Sequence, residues 1–200
     1  MSHDTWIHRL VRPMVEPLVG LPVTPNQLTT LRLAFGLLAS VACMRGGQTW
    51  LGIGGVLFVI ALLFDRADGI LARLSGNTSR FGHRYDLVSD AISNAMIFVG
   101  LGVGLRDGPL GWWMALLGLV AGLAVVAILA MVVWAERQEG ERAAELPNVA
   151  GFDADDGMLA VPVIIWLGWS LPLLYLAASI TPLFALFFAW KHRRFLRAAV

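Results

Sequence analysis

The sequence predicts an all-α integral membrane protein, with six transmembrane helices preceded by an amphipathic helix in the membrane interface. Three observations carry this. Hydrophobic residues make up 58% of the 200-residue chain and charged residues only 14%. Mean hydropathy is +0.71, a balance that ordinary soluble domains do not reach. Apolar runs recur along the chain, and its length accommodates about six spans at roughly 20 residues each. The charges gather at the ends of those runs, with Lys and Arg biased to one set of ends. A net charge of +1 implies no nucleic-acid partner.

The chain reads as one domain, an interfacial helix and lead-in over 1–22 followed by a transmembrane bundle over 23–200. Residues 5–19 are too polar and too proline-broken to span. Trp6, Ile7, Leu10, Val11 and Met14 recur at helical spacing with Arg9 and Arg12 elsewhere on the wheel, as in a helix lying at the interface. No cleavable signal peptide is expected, because the first 20 residues hold no continuous apolar core. Thr24-Pro25 marks a helix start, a hydroxyl N-cap followed by proline at the first helical position.

The six spans are expected at about Gln27–Met44, Trp50–Leu74, Gly82–Leu105, Leu110–Trp134, Met158–Trp169 and Leu171–Trp190. The polar stretch 135–157 separates the fourth from the fifth, with Asp155 a candidate cap for the latter. Pro172 and Pro182 bend or start the sixth. Cys43, the only cysteine, sits in an apolar run and reads as a packed thiol. Gly100-x3-Gly104 and Gly118-x3-Gly122 permit close helix contact, within the monomer or at a dimer seam. Asn77-Thr78-Ser79 matches a glycosylation acceptor, but its link is expected on the cytoplasmic side, away from that machinery.

Orientation follows from the basic residues. One face collects Arg9, Arg12, Arg73, Arg80, Arg84, Arg137, Arg142, Lys191, Arg193, Arg194 and Arg197; the other has Arg45 and Arg106. Eleven against two places both termini in the cytoplasm. Arg32 and Arg66 lie within spans. Arg32 either faces a polar cleft or snorkels to the headgroups.

The chemistry concentrates in Asp65-x2-Asp68-Gly69-x2-Ala72-Arg73-x8-Gly82-x3-Asp86-x3-Asp90. Asp65 and Asp68 are three apart and Asp86 and Asp90 four apart, so each pair shares a helix face. The first pair closes one apolar run and the second opens the next, so a helical hairpin brings all four together. Clustered carboxylates near a bilayer are expensive, and hard divalent cations such as Mg²⁺ or Mn²⁺ relieve the repulsion. Capping accounts for Asp86 at most. Asp65 and Asp68 near a helix C-terminus oppose the macrodipole.

This pattern resembles the signature of the CDP-alcohol phosphotransferases, the CDP-alcohol phosphatidyltransferase family of membrane enzymes in phospholipid synthesis. All eight fixed residues and every gap agree with the family pattern D-x2-D-G-x2-A-R-x8-G-x3-D-x3-D. The lead-in Thr24-Pro25-Asn26-Gln27-Leu28-Thr29 and the six-span plan are also similar.

The resemblance implies transfer of a phosphatidyl group from CDP-diacylglycerol to a small alcohol, with release of CMP. It implies two divalent ions held by Asp65, Asp68 and Asp86. Asp90 would serve as general base, also touching metal. The nucleotide and its phosphates would lie against Asp65, Asp68, Gly69, Ala72, Arg73 and Gly82. It further implies a homodimer in a bacterial cytoplasmic membrane, with the active site on the cytoplasmic side. His83, in the motif's variable gap, is not expected to bind metal. The acceptor alcohol is not readable; Arg84, Arg137, Arg142 and Asp155 are its candidate contacts.

Three other readings compete. A same-fold enzyme would pass a CDP-linked small alcohol to a lipid hydroxyl. A membrane prenyltransferase would keep its two aspartate motifs far apart, unlike the single hairpin here. A cation transporter would carry mid-membrane carboxylates and an inverted repeat, and no repeat is visible.

Overall fold

A computed structural model describes residues 6–139 and 154–191. Among them the regular structure is helical, without strands: α1 (Trp6–Val15), α2 (Pro25–Met44), α3 (Gly47–Ser75), α4 (Arg80–Gly104), α5 (Trp113–Glu139), α6 (Ala160–Trp166) and α7 (Ser170–Lys191). Short 3₁₀ turns at Glu16–Gly20 and Ala154–Leu159 follow α1 and precede α6.

Five helices (α2, α3, α4, α5 and α7) are long and apolar enough to cross a membrane. Where the fifth span is expected, the described residues hold a shorter apolar helix, Gly157–Trp166. Its apolar run is bounded by Asp156 and by Gly168, whose left-handed φ of 78° breaks the chain before α7. This stretch packs along α3. Gln48 donates to the Ile165 carbonyl (3.0 Å), and the Trp166 indole donates to the Gly52 carbonyl (3.1 Å).

Local chemistry sets the other boundaries. The Thr24 N–H donates to the Gln27 side chain (2.8 Å), so α2 starts at Pro25, two residues before the expected span. Between α2 and α3 the chain reverses at Gly46 and Gly47, both with φ near 74°. Gly46 also abuts Gly104, and no Cβ fits between them. α5 starts three residues later than expected, after a turn through Gly111.

α2 packs against α3 and α4, α4 against α5, and α5 against α7. Their common core includes Phe58, Ile97, Leu101, Met114, Ile165 and Leu174. The glycine patterns serve these seams inside the chain. Gly100 and Gly104 pass against Ser40 and Cys43 of α2; Gly118 and Gly122 pass against Gly102 and Ala95 of α4. Cys43 is fully buried, as expected.

The helix α1 docks on the bundle through Val11 and Val15, which meet Leu28, Ile70 and Leu71. Met14 stays 70% exposed and Arg12 pairs with Glu16 at 3.0 Å, so one face of α1 lies on the protein and the other points away from it. At the opposite end of the bundle lie Trp50, Trp112, Trp113, Trp166 and Trp169, all exposed, an arrangement suited to a membrane–water boundary.

Candidate functional site

α3 and α4 are antiparallel and joined by residues 76–79 alone. Gly76, left-handed at φ 64°, ends α3, and the Ser79 hydroxyl caps α4 by accepting from the Gly82 N–H at 2.9 Å. Ser79 is therefore the cap, and Asp86 lies almost two turns inside the helix. Asp65 stands ten residues before the end of α3. At 1.5 Å per residue that is about 15 Å from the helix terminus. The carboxylates are recessed, because α3 runs on past Asp68 for two turns, with Ile70 and Leu71 packed under α1, and α4 begins six residues before Asp86.

On α3, Asp65, Asp68, Gly69, Ala72 and Arg73 follow an i, i+3, i+4, i+7, i+8 stripe facing one way. Across from it stand Asp86 and Asp90 on α4. One carboxylate oxygen from each of Asp65, Asp68 and Asp86 lies within 4.8 Å of the others. Two such charges repel by on the order of 3 kcal/mol at an effective dielectric near 20. The donor set, three carboxylates and no sulfur or imidazole, suits a hard divalent cation.

α2 forms the third wall. Arg32 is 1% exposed, so it faces the cleft and does not snorkel. Its Nη1 lies 2.6 Å from Asp65 and 2.7 Å from Asp86, and its Nη2 pairs with Asp90. One turn earlier, the Thr29 hydroxyl lies 2.6 Å from Asp68. Asp90 also accepts from Asn94 Nδ2 at 2.8 Å. Asp90 thus stands outside the three-carboxylate group, held by Arg32 and Asn94.

Thr29 and Asn94 were not singled out from the sequence. The available signals were Thr29-x2-Arg32, a polar pair on one face of an apolar helix, and an amide one turn after Asp90. A further link between α2 and α4, Thr30 to Tyr85 at 3.0 Å, sits near the mouth.

The motif's small residues divide into two kinds. A Cβ on Gly82 would lie 3.0 Å from Asn26 Oδ1 and 3.1 Å from Ser79 Oγ, so this glycine admits the start of α2. A Cβ on Gly69 would meet nothing nearer than the Arg73 guanidinium at 3.6 Å. The protein itself therefore has no packing need for glycine at 69. Ala72 is half-buried and Arg73 exposed on the same stripe.

Among the acceptor candidates, Arg84 is exposed on the second turn of α4. Arg137 lies near the C-terminal end of α5 and Asp155 in the 3₁₀ turn before α6. The side chains of both, and the whole of Arg142, lie outside the described residues.

Similarity to known proteins extends well beyond the motif. A phosphatidylinositol phosphate synthase of Corynebacterium glutamicum is 29% identical over 161 residues, covering 76% of this chain and 64% of that protein. An archaetidylinositol phosphate synthase of Pyrococcus horikoshii is 33% identical over 110 residues, 55% of each. The chain thus spans less than two thirds of the length of either relative.

The fold resembles the crystal structure of Mycobacterium tuberculosis phosphatidylinositol phosphate synthase with CDP-DAG bound. The TM-score is 0.63 at 22% identity, over 91% of this chain and 94% of that one. The same enzyme in complex with manganese and citrate gives the same score. The family model described as CDP-alcohol phosphatidyltransferase matches residues 22–190, which takes in every wall of the carboxylate pocket. The chain therefore belongs to the CDP-alcohol phosphatidyltransferase family.

Proposed function

We propose that this membrane protein transfers a phosphatidyl group from CDP-diacylglycerol to a small alcohol, releasing CMP, and that the alcohol is an inositol phosphate. The observation that carries the reaction is the convergence of Asp65, Asp68 and Asp86 within 4.8 Å, with Asp90 beside them, in a chain of this family. The acceptor reading rests on the names of the relatives from Corynebacterium and Pyrococcus, both inositol-phosphate lipid synthases.

In the proposed reaction the acceptor hydroxyl attacks the β-phosphorus of CDP-diacylglycerol. A new P–O bond forms, the bond to the CMP oxygen breaks, and the hydroxyl proton passes to Asp90. Asp65, Asp68 and Asp86 would hold Mg²⁺ or Mn²⁺. Bound there, two divalent ions would neutralise the pyrophosphate and stabilise the departing phosphate oxygen. The chain's own work is positional. Asn94 and Arg32 orient Asp90 for proton transfer, Gly69 leaves room beside α3 for the nucleotide, and Arg73 offers a guanidinium fork to a phosphate. An anionic acceptor needs a basic contact, for which Arg84 is the described candidate.

The same proposal places the carboxylate end in the cytoplasm of a bacterium. A homodimer, if formed, would use faces other than the glycine seams, which are occupied within the chain.

The test is CMP release by protein purified in micelles with CDP-diacylglycerol and Mn²⁺ against single acceptors. Release is expected with an inositol phosphate, should stop on chelation and return with Mg²⁺ or Mn²⁺. Asp90→Asn should lower turnover at least about 100-fold, the scale of a lost general base, while retaining CDP-diacylglycerol binding. Release with serine or glycerol 3-phosphate instead would replace the acceptor. Release that survives chelation would remove the metal scheme.

A further inference from the structure

Arg32 is the most deeply buried charge described in the chain, at 1% exposure. Its guanidinium divides three carboxylates between two nitrogens: Nη1 to Asp65 (2.6 Å) and Asp86 (2.7 Å), Nη2 to Asp90. The fourth carboxylate, Asp68, is met by Thr29 of the same helix at 2.6 Å. One face of α2 therefore supplies a partner for every acidic residue of the pocket.

Asp65 and Asp86 also belong to the group that can grip a cation, with Asp68. A guanidinium nitrogen set between Asp65 and Asp86 and a divalent ion that these two residues would help to hold compete for the same carboxylates. They also carry the same sign of charge. The two guanidinium nitrogens are separate donors on one fork, so Nη1 can give up Asp65 and Asp86 while Nη2 keeps Asp90.

We propose that Arg32 is a resident cation of the pocket, which holds Asp65, Asp86 and Asp90 together and yields Asp65 and Asp86 to entering divalent ions while keeping Asp90. This rests on the metal reading given above. It makes Arg32 a positioning residue that acts through the aspartates. Removing its charge leaves a bare carboxylate cluster, less stable without metal and more responsive to metal.

The experiment compares the full-length wild type, Arg32→Lys and Arg32→Gln in detergent micelles. Each is stripped with EDTA, and unfolding is followed by tryptophan fluorescence with and without saturating MnCl₂. Without metal, Tm should fall in the order wild type, Lys, Gln. The rise in Tm on adding Mn²⁺ should grow in that same order, with Gln exceeding wild type by about 5 °C, a shift of ordinary size for one lost interaction in a chain of this length. A Gln variant that folds only with Mn²⁺ present supports the proposal. If that variant never folds, the Lys variant against wild type decides it.

A merely structural arginine would lower both temperatures in parallel. Equal Mn²⁺ shifts in all three proteins, or smaller shifts in the variants, would overturn the proposal. A Mn²⁺ shift missing from all three would overturn the metal reading itself, and the resident cation with it.

Discussion

Gly69 sits in mid-helix, where alanine would hold α3 better by about 1 kcal/mol, and the nearest atom to a Cβ placed there is Arg73 Nη1 at 3.6 Å. A glycine that the fold does not need is explained by something the fold must admit. Gly69→Ala should therefore raise thermal stability slightly, by about 0.5–1 kcal/mol, while raising the KM for CDP-diacylglycerol. Parallel unfolding and kinetic measurements decide it: unchanged KM in a stabilised variant would remove Gly69 from the nucleotide site. At this scale the motif was legible because helical spacing alone puts Asp65 with Asp68 and Asp86 with Asp90 on common faces. The wall from α2 was only half legible. A single arginine inside a span reads equally as a cleft residue or a snorkelling one, and burial of Arg32 to 1% exposure decides between them. Thr29 and Asn94 carry no such mark, because a threonine or an asparagine in an apolar helix has many local hydrogen-bonding uses.

Hydropathy located α2, α3, α4, α5 and α7 to within a few residues, since lipid contact demands long apolar runs. The expected ends at Leu74 and Gly82 lie within two residues of the observed ones, Ser75 and Arg80. Where the fifth span was expected, the described residues hold a shorter apolar helix, Gly157–Trp166, packed along α3. The glycine patterns could not say which helices they join; the backbone contacts do. A Cβ at Gly118 would lie 3.0 Å from Gly102 Cα and closer still to the Phe98 carbonyl. Gly118→Val must push α4 and α5 apart, at about 1–3 kcal/mol for overpacking. Thermal unfolding in micelles should register that loss, and the adjacent lipid-facing Leu119→Val, at a residue 44% exposed, should not.

Across the whole molecule, the described basic residues divide unequally between the two ends. Arg73, Arg80 and Arg84 are exposed at the carboxylate end, around the hairpin link. The other end has Arg45 and Arg106, both engaged. Arg45 lies over the Trp50 ring at 4.5 Å, and Arg106 Nη1 donates to the carbonyls of Met44 (2.8 Å) and Val103 (3.0 Å). Basic residues close to span ends resist translocation, so the link at 76–79 should stay in the cytoplasm and the α4–α5 turn should cross. That disposition also suits the proposed chemistry, because a nucleotide-linked donor is water-facing on that side. The chain offers a clean test, since its single thiol, Cys43, is fully buried and gives a quiet background. Asn77 and Asp107 are exposed at the two ends. In sealed spheroplasts a membrane-impermeant maleimide should label Asp107→Cys and leave Asn77→Cys untouched; in inverted vesicles the pattern should reverse. Labelling of Asn77→Cys from outside would turn the protein over, and would put the carboxylate pocket on the side of the membrane away from the nucleotide pool its proposed donor requires.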